Sequence, residues 1–388
     1  MKFSDKFGTS KPSIFMELIN EKNKMSQGDL EIFDLSIGTP DFKPEGFIRE
    51  AVSAAALEGN NYKYGISDSP ELVKAVINWY QRRYGVTLTA ENITSVNGSQ
   101  EGIAHICFPL INSGDVVLVP NPGYQIFSFG PEMAGAEVVR MPLLKENDFL
   151  IDFDSIPEET AKKAAVMVVS YPSNPTTAVA GRDFYERLVA FAKKYDIIVI
   201  HDNAYSELVY DTEPGHSFLE TPGAMDVGIE FNSLSKSYNL TGLRLSFALG
   251  NADIISRFKA FRSQIDYGIS PLVQTAAIVA LNGPQDSLER IRNEYKARRD
   301  FLYTEFNRLG WNAPKSAATM FMWLPKPSGY STSMEFCLDL LRRAGVVMVP
   351  GNTFGSLGEG FLRAALVRPV EDLKRMIAQL EYSGIDFD

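Results

Sequence analysis

Between about residue 90 and residue 250, short apolar runs rich in valine and isoleucine alternate with helical stretches, and this alternation constrains the fold more than any other feature of the chain. The runs are 93–97, 116–119, 137–140, 164–170, 197–201, 229–233 and 245–249. Several are apolar at consecutive positions, as in Val166-Met167-Val168-Val169 and Ile197-Ile198-Val199-Ile200. A strand with one wet face alternates apolar and polar residues; a strand apolar on both sides needs cover on both faces. Helices such as 183–195, with Phe184, Leu188, Phe191 and Ala192 at helical spacing, supply that cover. The expected fold is α/β, with a mostly parallel seven-stranded sheet.

The flanking sequence reads differently. Residues 1 to about 30 read as an arm with one short helix, carrying Phe7, Ile14, Phe15, Leu18 and Ile19. Residues 70–84 predict a helix opened by Pro70 and stopped by Gly85. Residues 286–308 predict a long charged amphipathic helix that connects to a second unit. There, strand-like 320–324 and 346–349 alternate with helical 333–344 and 370–382, the pattern of a smaller α+β domain. The expected division is 1–45 as an arm with part of the small domain, 46–285 as the large domain, and 286–388 as the small C-terminal domain.

Charge and cysteine usage exclude several classes of function. With 38 basic against 48 acidic residues, the net charge of −10 leaves no basic surplus for nucleic acid or an anionic membrane surface. Cys107 and Cys337 stand far apart, and His105, His201 and His216 do not cluster with them, so neither a disulfide framework nor a metal site is expected. No apolar run reaches the length of a membrane span, and the first residues lack the apolar stretch of a secretory signal. The expected location is the cytoplasm.

In open α/β sheets ligands sit beyond the carboxyl ends of the strands, and the polar residues gather there. Asn97-Gly98-Ser99-Gln100-Glu101-Gly102 follows a strand and opens a helix, whose first amides and dipole favour an anion; plain capping is the simpler reading. Tyr124, after Asn121-Pro122-Gly123, can stack on a flat heterocycle or merely form a rim. Ser170-Tyr171-Pro172-Ser173-Asn174-Pro175-Thr176 is a stiff loop that aims Asn174. Asp202, after four buried apolar residues, needs a cationic or hydrogen-bonding partner or caps a helix, and His201 reads as a packed strand residue. Lys236, in Ser233-Leu234-Ser235-Lys236, is either solvated or desolvated enough to condense with carbonyls. Arg244 lies eight residues on.

One ligand would use all of these groups: an aromatic cation with a phosphate, an aldehyde and a ring oxygen, which describes pyridoxal 5′-phosphate. The motifs Gly38-Thr39-Pro40-Asp41-Phe42, Gly98-Ser99-Gln100-Glu101-Gly102, Pro122-Gly123-Tyr124, Asn174-Pro175-Thr176, Asp202-x-x-Tyr205, Ser233-x-Ser235-Lys236, Gly242-x-Arg244 and Gly360-Phe361-Leu362-Arg363 run in order along nearly the whole chain. In these the chain resembles the class I/II aminotransferases of pyridoxal-phosphate fold type I. The stretch from His201 through Asn251 looks most like the LL-diaminopimelate, alanine and aspartate aminotransferase branch.

The resemblance implies a role for each matching residue. Lys236 would hold the cofactor as a Schiff base and shuttle a proton, Asp202 would pair with the pyridine nitrogen, and Tyr205 and Asn174 would bond the ring oxygen. Tyr124 would stack on the ring, and Ser99, Gln100, Ser233 and Arg244 would bind the phosphate. A tyrosine from a partner subunit would reach the same phosphate; Tyr64 is the choice, with Tyr62 close by. Arg363 would grip the substrate carboxylate with its planar fork, helped by the backbone of Gly38 and by Asn174, with Arg368 as competitor. The chain departs from the family at Thr177, where glycine is frequent, and at Leu243 and Ser246, where tryptophan and glycine are; the last two are expected to concern packing.

The implied activity is amino transfer between an L-amino acid and 2-oxoglutarate or pyruvate, in a homodimer with shared active sites. A carbon–sulfur β-lyase on the same scaffold needs the same Lys, Asp and Tyr and is the alternative. A cofactor-sensing regulator would need a DNA-binding domain before Gly38, for which roughly 35 residues are too few and the net charge is wrong, and a nicotinamide-binding enzyme would need a G-x-G-x-x-G turn after its first strand; neither is expected.

Overall fold

The computed structural model describes residues 14–25 and 30–388, with the side chains of 14–17 left aside. The arm's expected helix is Ile14–Met25; Phe7 lies outside the described residues. A two-residue strand β1 (Phe33–Asp34) precedes the main sheet, which contains β2 (Ile93–Val96), β3 (Val116–Asn121), β4 (Glu137–Pro142), β5 (Ala164–Val169), β6 (Ile198–Asn203), β7 (Gly228–Ser233) and β8 (Ser246–Gly250). The C-terminal region adds β9 (Phe321–Pro325), β10 (Val346–Val347), β11 (Val349–Pro350) and β12 (Phe361–Ala365).

The seven-stranded sheet has the order β2-β8-β7-β6-β5-β3-β4. Strands β3 to β7 pair in parallel, while β8 runs antiparallel to both β2 and β7. The consecutive apolar residues have a direct physical reason. Met167 and Val169 of β5 enter one hydrophobic core, and Val166 and Val168 enter another on the opposite face. Val199 and Ile200 of β6 divide in the same way. Helix Arg182–Tyr195 covers one face through Phe184, Leu188 and Ala192, and helix Ser99–Leu110 covers the other through Ile103 and Ile106.

The helix at Pro70–Tyr84 starts on Ser69, whose hydroxyl accepts from Leu72 N, and ends on Gly85 at φ 68°. The helix Asp286–Arg308 spans two cores: Leu288 packs with the main sheet, whereas Ile291, Tyr295, Leu302 and Phe306 pack in a core with Phe33, Leu35, Phe336 and Ile377. In that second region β11-β12-β9 form an antiparallel sheet, and β1 pairs with β10 in parallel. The expected single strand at 346–349 is therefore two short ones that serve different partners, with buried Met348 between them. Strand β12, not anticipated as a strand, is the middle of its sheet and carries Arg363.

Candidate active site

The carboxyl ends of β6 and β7, the N-terminus of helix Ser99–Leu110, the loop after β5 and strand β12 converge on one cavity of about 230 Å3. Its walls include Gly38, Ser99, Gln100, Tyr124, Asn174, Asp202, Tyr205, Ser233, Lys236, Arg244 and Arg363. The parallel sheet places the ends of β5, β6 and β7 on one edge, and Gly38 and Arg363, more than 300 positions apart and both outside that sheet, complete the cavity from the second region.

One end of the cavity is built for an anion. Helix Ser99–Leu110 presents its first backbone amides there, and Gly98 enters it at φ 94°, a left-handed conformation. A Cβ on Gly98 would collide with the Arg244 guanidinium, so glycine lets the cation lie against the helix start. Ser233 Oγ accepts from Ser235 N at 3.2 Å and from Ser246 Oγ at 2.9 Å. Ser246 is therefore more than packing: it fixes the orientation of Ser233. Leu243 packs against the main core. Tyr124 donates to Gln100 Oε1 at 2.7 Å, which ties the ring to the helix and leaves the Gln100 amide NH2 as its donor.

Asp202 lies within β6 and does not cap a helix. Its Oδ1 is buried without a hydrogen-bond partner, and burial pushes the carboxyl up to about 7, with Glu230 raising and His201 lowering it. Burial likewise drives the Tyr205 phenol upward. Lys236 sits in the one-turn helix Leu234–Ser237 and donates to Gly38 O at 2.5 Å. Burial, with the charges of Arg363 and Arg244, lowers its amine to about 8, a value at which a neutral nucleophile is available near neutrality.

Arg363 donates to Asn174 Oδ1 at 2.9 Å and to Ser36 O at 3.0 Å, while its Nε has no partner. Its guanidinium lies 4.2 Å from the Phe321 ring centre and 4.7 Å from that of Phe354. Burial pulls it down to about 10. Among the described residues no carboxylate forms an ion pair with it. The competitor Arg368 is half exposed, faces Asp372 at 3.9 Å and does not line the cavity.

Tyr64 is the one anticipated residue that this cavity does not include. It is 83% exposed, its ring against Tyr267 at 5.5 Å. Tyr62 is also exposed, with its hydroxyl donating to Ala56 O. Thr177 adopts φ 63°, the conformation glycine favours, so the loop turns in the left-handed region with a β-branched residue. Ala204, Ser235, Thr241 and Phe321 also line the cavity and were not singled out. Ser235 lies inside the Ser233-x-Ser235-Lys236 motif and Thr241 directly before Gly242-x-Arg244, whereas Phe321 carries no signal beyond being apolar. Its ring comes so close to Gly38 that a Cβ there would sit 2.6 Å away.

Residues 31–380 match the family described as aminotransferase class I and II. The chain belongs to that family. It is 42% identical over 380 residues to the LL-diaminopimelate aminotransferase of Moorella thermoacetica, covering 96% of this chain and 97% of that one. It is 41% identical over 375 residues to that of Aquifex aeolicus, covering 96% of each. Among solved structures, substrate-bound BacF from Bacillus subtilis superposes with a TM-score of 0.95 at 35% identity, covering 100% and 99% of the two chains. Alanine aminotransferase from Pyrococcus furiosus does so with 0.89 at 28% identity, covering 98% and 99%. Amino-group transfer is the activity of this aminotransferase family and of this chain. Members of the family depend on pyridoxal 5′-phosphate. The residues fit that group: an orphaned buried carboxylate oxygen matches a ring N–H, and the helix start beside Arg244 matches a phosphate. No helix among the described residues is long and apolar enough to cross a membrane.

Proposed function

We propose that this aminotransferase binds pyridoxal 5′-phosphate in the cavity at the strand ends and moves the amino group of LL-diaminopimelate to 2-oxoglutarate or pyruvate. The observation that carries the reading is the convergence of a depressed amine, Lys236, an unpartnered carboxylate oxygen, Asp202, and an arginine without a carboxylate, Arg363, in one space. The donor is chosen because relatives at about 40% identity over nearly the whole chain carry that name.

When bound, the cofactor supplies an aldehyde that captures amines and an electron-poor ring that takes up the electron pair left by a departing α-proton. Lys236 holds it through its amine, and Nζ, once free, takes the α-proton of the donor and later returns one. Asp202 keeps the ring nitrogen protonated by lending its unpartnered oxygen. Tyr205 and Asn174 bond the ring oxygen, and Tyr124, tied to Gln100, covers a ring face. Ser99, Gln100, Ser233 and Arg244 hold the phosphate. Arg363 fixes the carboxylate of donor and acceptor in turn, so each oxo acid leaves by the geometry through which the next enters, and the kinetics are ping-pong.

Tyr64 does not line the cavity of its own chain, so its assignment requires a second subunit: the enzyme works as a homodimer in which this residue reaches the neighbouring phosphate. The setting is the cytoplasm. The test is a panel of amino donors against both oxo acids with cofactor-loaded protein. Transfer from LL-diaminopimelate at a rate well above other donors supports the reading. Release of ammonia and pyruvate from cystathionine without an oxo acid would instead favour the β-lyase.

A further inference from the structure

Behind Asp202 lies a sealed polar cluster that the chemistry above does not use. His201 and Glu230 are cross-strand neighbours in register on β6 and β7, and both are fully buried. The Glu230 carboxylate accepts from Tyr80 Oη at 2.8 Å, from Ser217 Oγ at 2.9 and 3.0 Å, and from Phe218 N at 2.8 Å; His201 Nδ1 lies 3.0 Å away. Three donors besides the histidine mark the group as an ionised carboxylate, because a protonated one would have to spend an oxygen as donor. A buried anion needs a counter-charge. Arg83, on the same helix as Tyr80, is committed to Glu207 at 2.7 Å.

The other nitrogen of His201 completes the argument. Nε2 lies 3.3 Å from Tyr185 Oη, and that hydroxyl has Tyr171 O within reach, at 3.4 Å, as an acceptor for its own hydrogen. With that hydrogen on the carbonyl, the phenol oxygen accepts from Nε2–H, and both ring nitrogens can then donate. The other ionisable groups packed around the pair are the phenols Tyr80, Tyr84, Tyr171 and Tyr185, all driven upward by burial and therefore uncharged. Glu220 is turned to His216 and Ser217 N.

We propose that His201 is a positioning residue: an imidazolium clamped by Glu230 whose charge, one residue from Asp202 along the strand, keeps Asp202 an anion for the cofactor ring nitrogen. The electrostatics run in that direction, since His201 opposes and Glu230 reinforces the effect of burial on Asp202. Without the imidazolium, the Glu230 charge would stand uncompensated and Asp202 would take up a proton. The role toward the cofactor rests on the pyridoxal-phosphate reading; the charge state of His201 does not.

The chain has three histidines, so protein labelled with 15N-histidine gives three resolvable rings. The expected result is that both nitrogens of His201 carry hydrogen at neutral pH, with or without cofactor. A neutral ring with one bare nitrogen would overturn the proposal. The second measurement compares the dissociation constants of pyridoxal 5′-phosphate and its analogue with C–H in place of the ring nitrogen. Wild type should favour the natural cofactor, and His201→Gln, which keeps a donor but no charge, should lose about tenfold of that preference, one unit of proton affinity at Asp202. The double change His201→Gln/Glu230→Gln removes both charges and should recover part of it. An unchanged preference in folded His201→Gln overturns the proposal; if that variant does not fold, the labelled wild type decides. Wild type that binds neither compound rejects the cofactor reading and the role built on it, while the nitrogen spectra still report the charge of His201.

Discussion

Two buried arginines sit in opposite circumstances. Arg298, in the seam between helix Asp286–Arg308 and the loop near Phe42, is 2% exposed and fully engaged. It forks onto both oxygens of Asp41 at 2.7 and 2.9 Å, reaches Glu294 and donates to Leu366 O. Arg363 is 8% exposed and has only neutral partners, Asn174 and Ser36 O. The same contrast holds for carboxylates: Glu230 is surrounded by donors, whereas Asp202 keeps an oxygen with none. Isolated buried charge is costly. A chain that, among the described residues, pairs such groups elsewhere and leaves them unpaired around one cavity holds them there for a ligand of complementary charge.

If that distinction is right, damage to the cavity costs function and damage to the seam costs stability. The largest effect is expected for Lys236→Ala. Loss of both the covalent holder and the proton carrier should lower turnover by at least about 10³-fold, read as amine transfer with saturating cofactor. Its thermal midpoint without cofactor should not fall, since the change removes a buried amine. Arg363→Ala should come next, with KM for donor and acceptor both raised about 100-fold, the cost of truncating a buried hydrogen-bonded charge contact. Arg298→Ala should behave in the reverse way, losing about 3 kcal/mol of unfolding free energy because Asp41 and Glu294 are left without their partner, while KM in the folded protein stays within about threefold. A large KM effect from Arg298→Ala without loss of stability would erase the contrast.

The contrast also predicts a pH dependence. Asp202 has a folded-state carboxyl near 7, above its ordinary 3.8, so between those values the folded protein binds the extra proton. Stability without cofactor should therefore fall as pH rises from about 4 to 7. Lys236 acts in a higher window. Its amine is near 8 when folded and 10.5 ordinarily, so there the unfolded chain binds the extra proton and stability should rise with pH. Urea unfolding of the cofactor-free protein across this range checks both signs. Asp202→Asn should abolish the lower slope and leave the upper one. A lower slope that survives Asp202→Asn would mean that another group carries it.

How much of this was legible in the sequence follows from what each element depends on. The central strands β3, β5 and β6 could be read because each feeds two cores and so writes a run of consecutive apolar residues. Asp202 and Lys236 stood out because a charge at the carboxyl end of a buried strand has few places to go. Strand β12 was missed because Phe361-Leu362-Arg363 places a cation in the middle of a short strand, against the usual pattern, and its burial depends on Phe321 and Phe354 from other segments. Phe321 itself was invisible: an apolar residue in an apolar strand says nothing of its approach to Gly38. The link from Ser246 to Ser233 was equally hidden, since it depends on the register of antiparallel β7 and β8.

The smallest effect is expected at Thr177, where sequence and geometry disagree most locally. Gly98 and Thr177 both hold positive φ beside the cavity, 94° and 63°, but only one of them is the residue such a conformation favours. A side chain in that region costs roughly 1–2 kcal/mol. Thr177→Gly removes the cost but also loosens the unfolded chain, which returns part of the gain. The net expectation is stabilisation of about 0.5 kcal/mol by urea unfolding, with KM unchanged, because the bonds that close the loop around Asn174 are backbone ones: Thr177 N to Ser173 O and Ser173 N to Ala178 O, each 2.9 Å. A rise in KM would show instead that the buried threonine side chain helps to aim Asn174 at Arg363, placing residue 177 with the cavity and not with the scaffold that surrounds it.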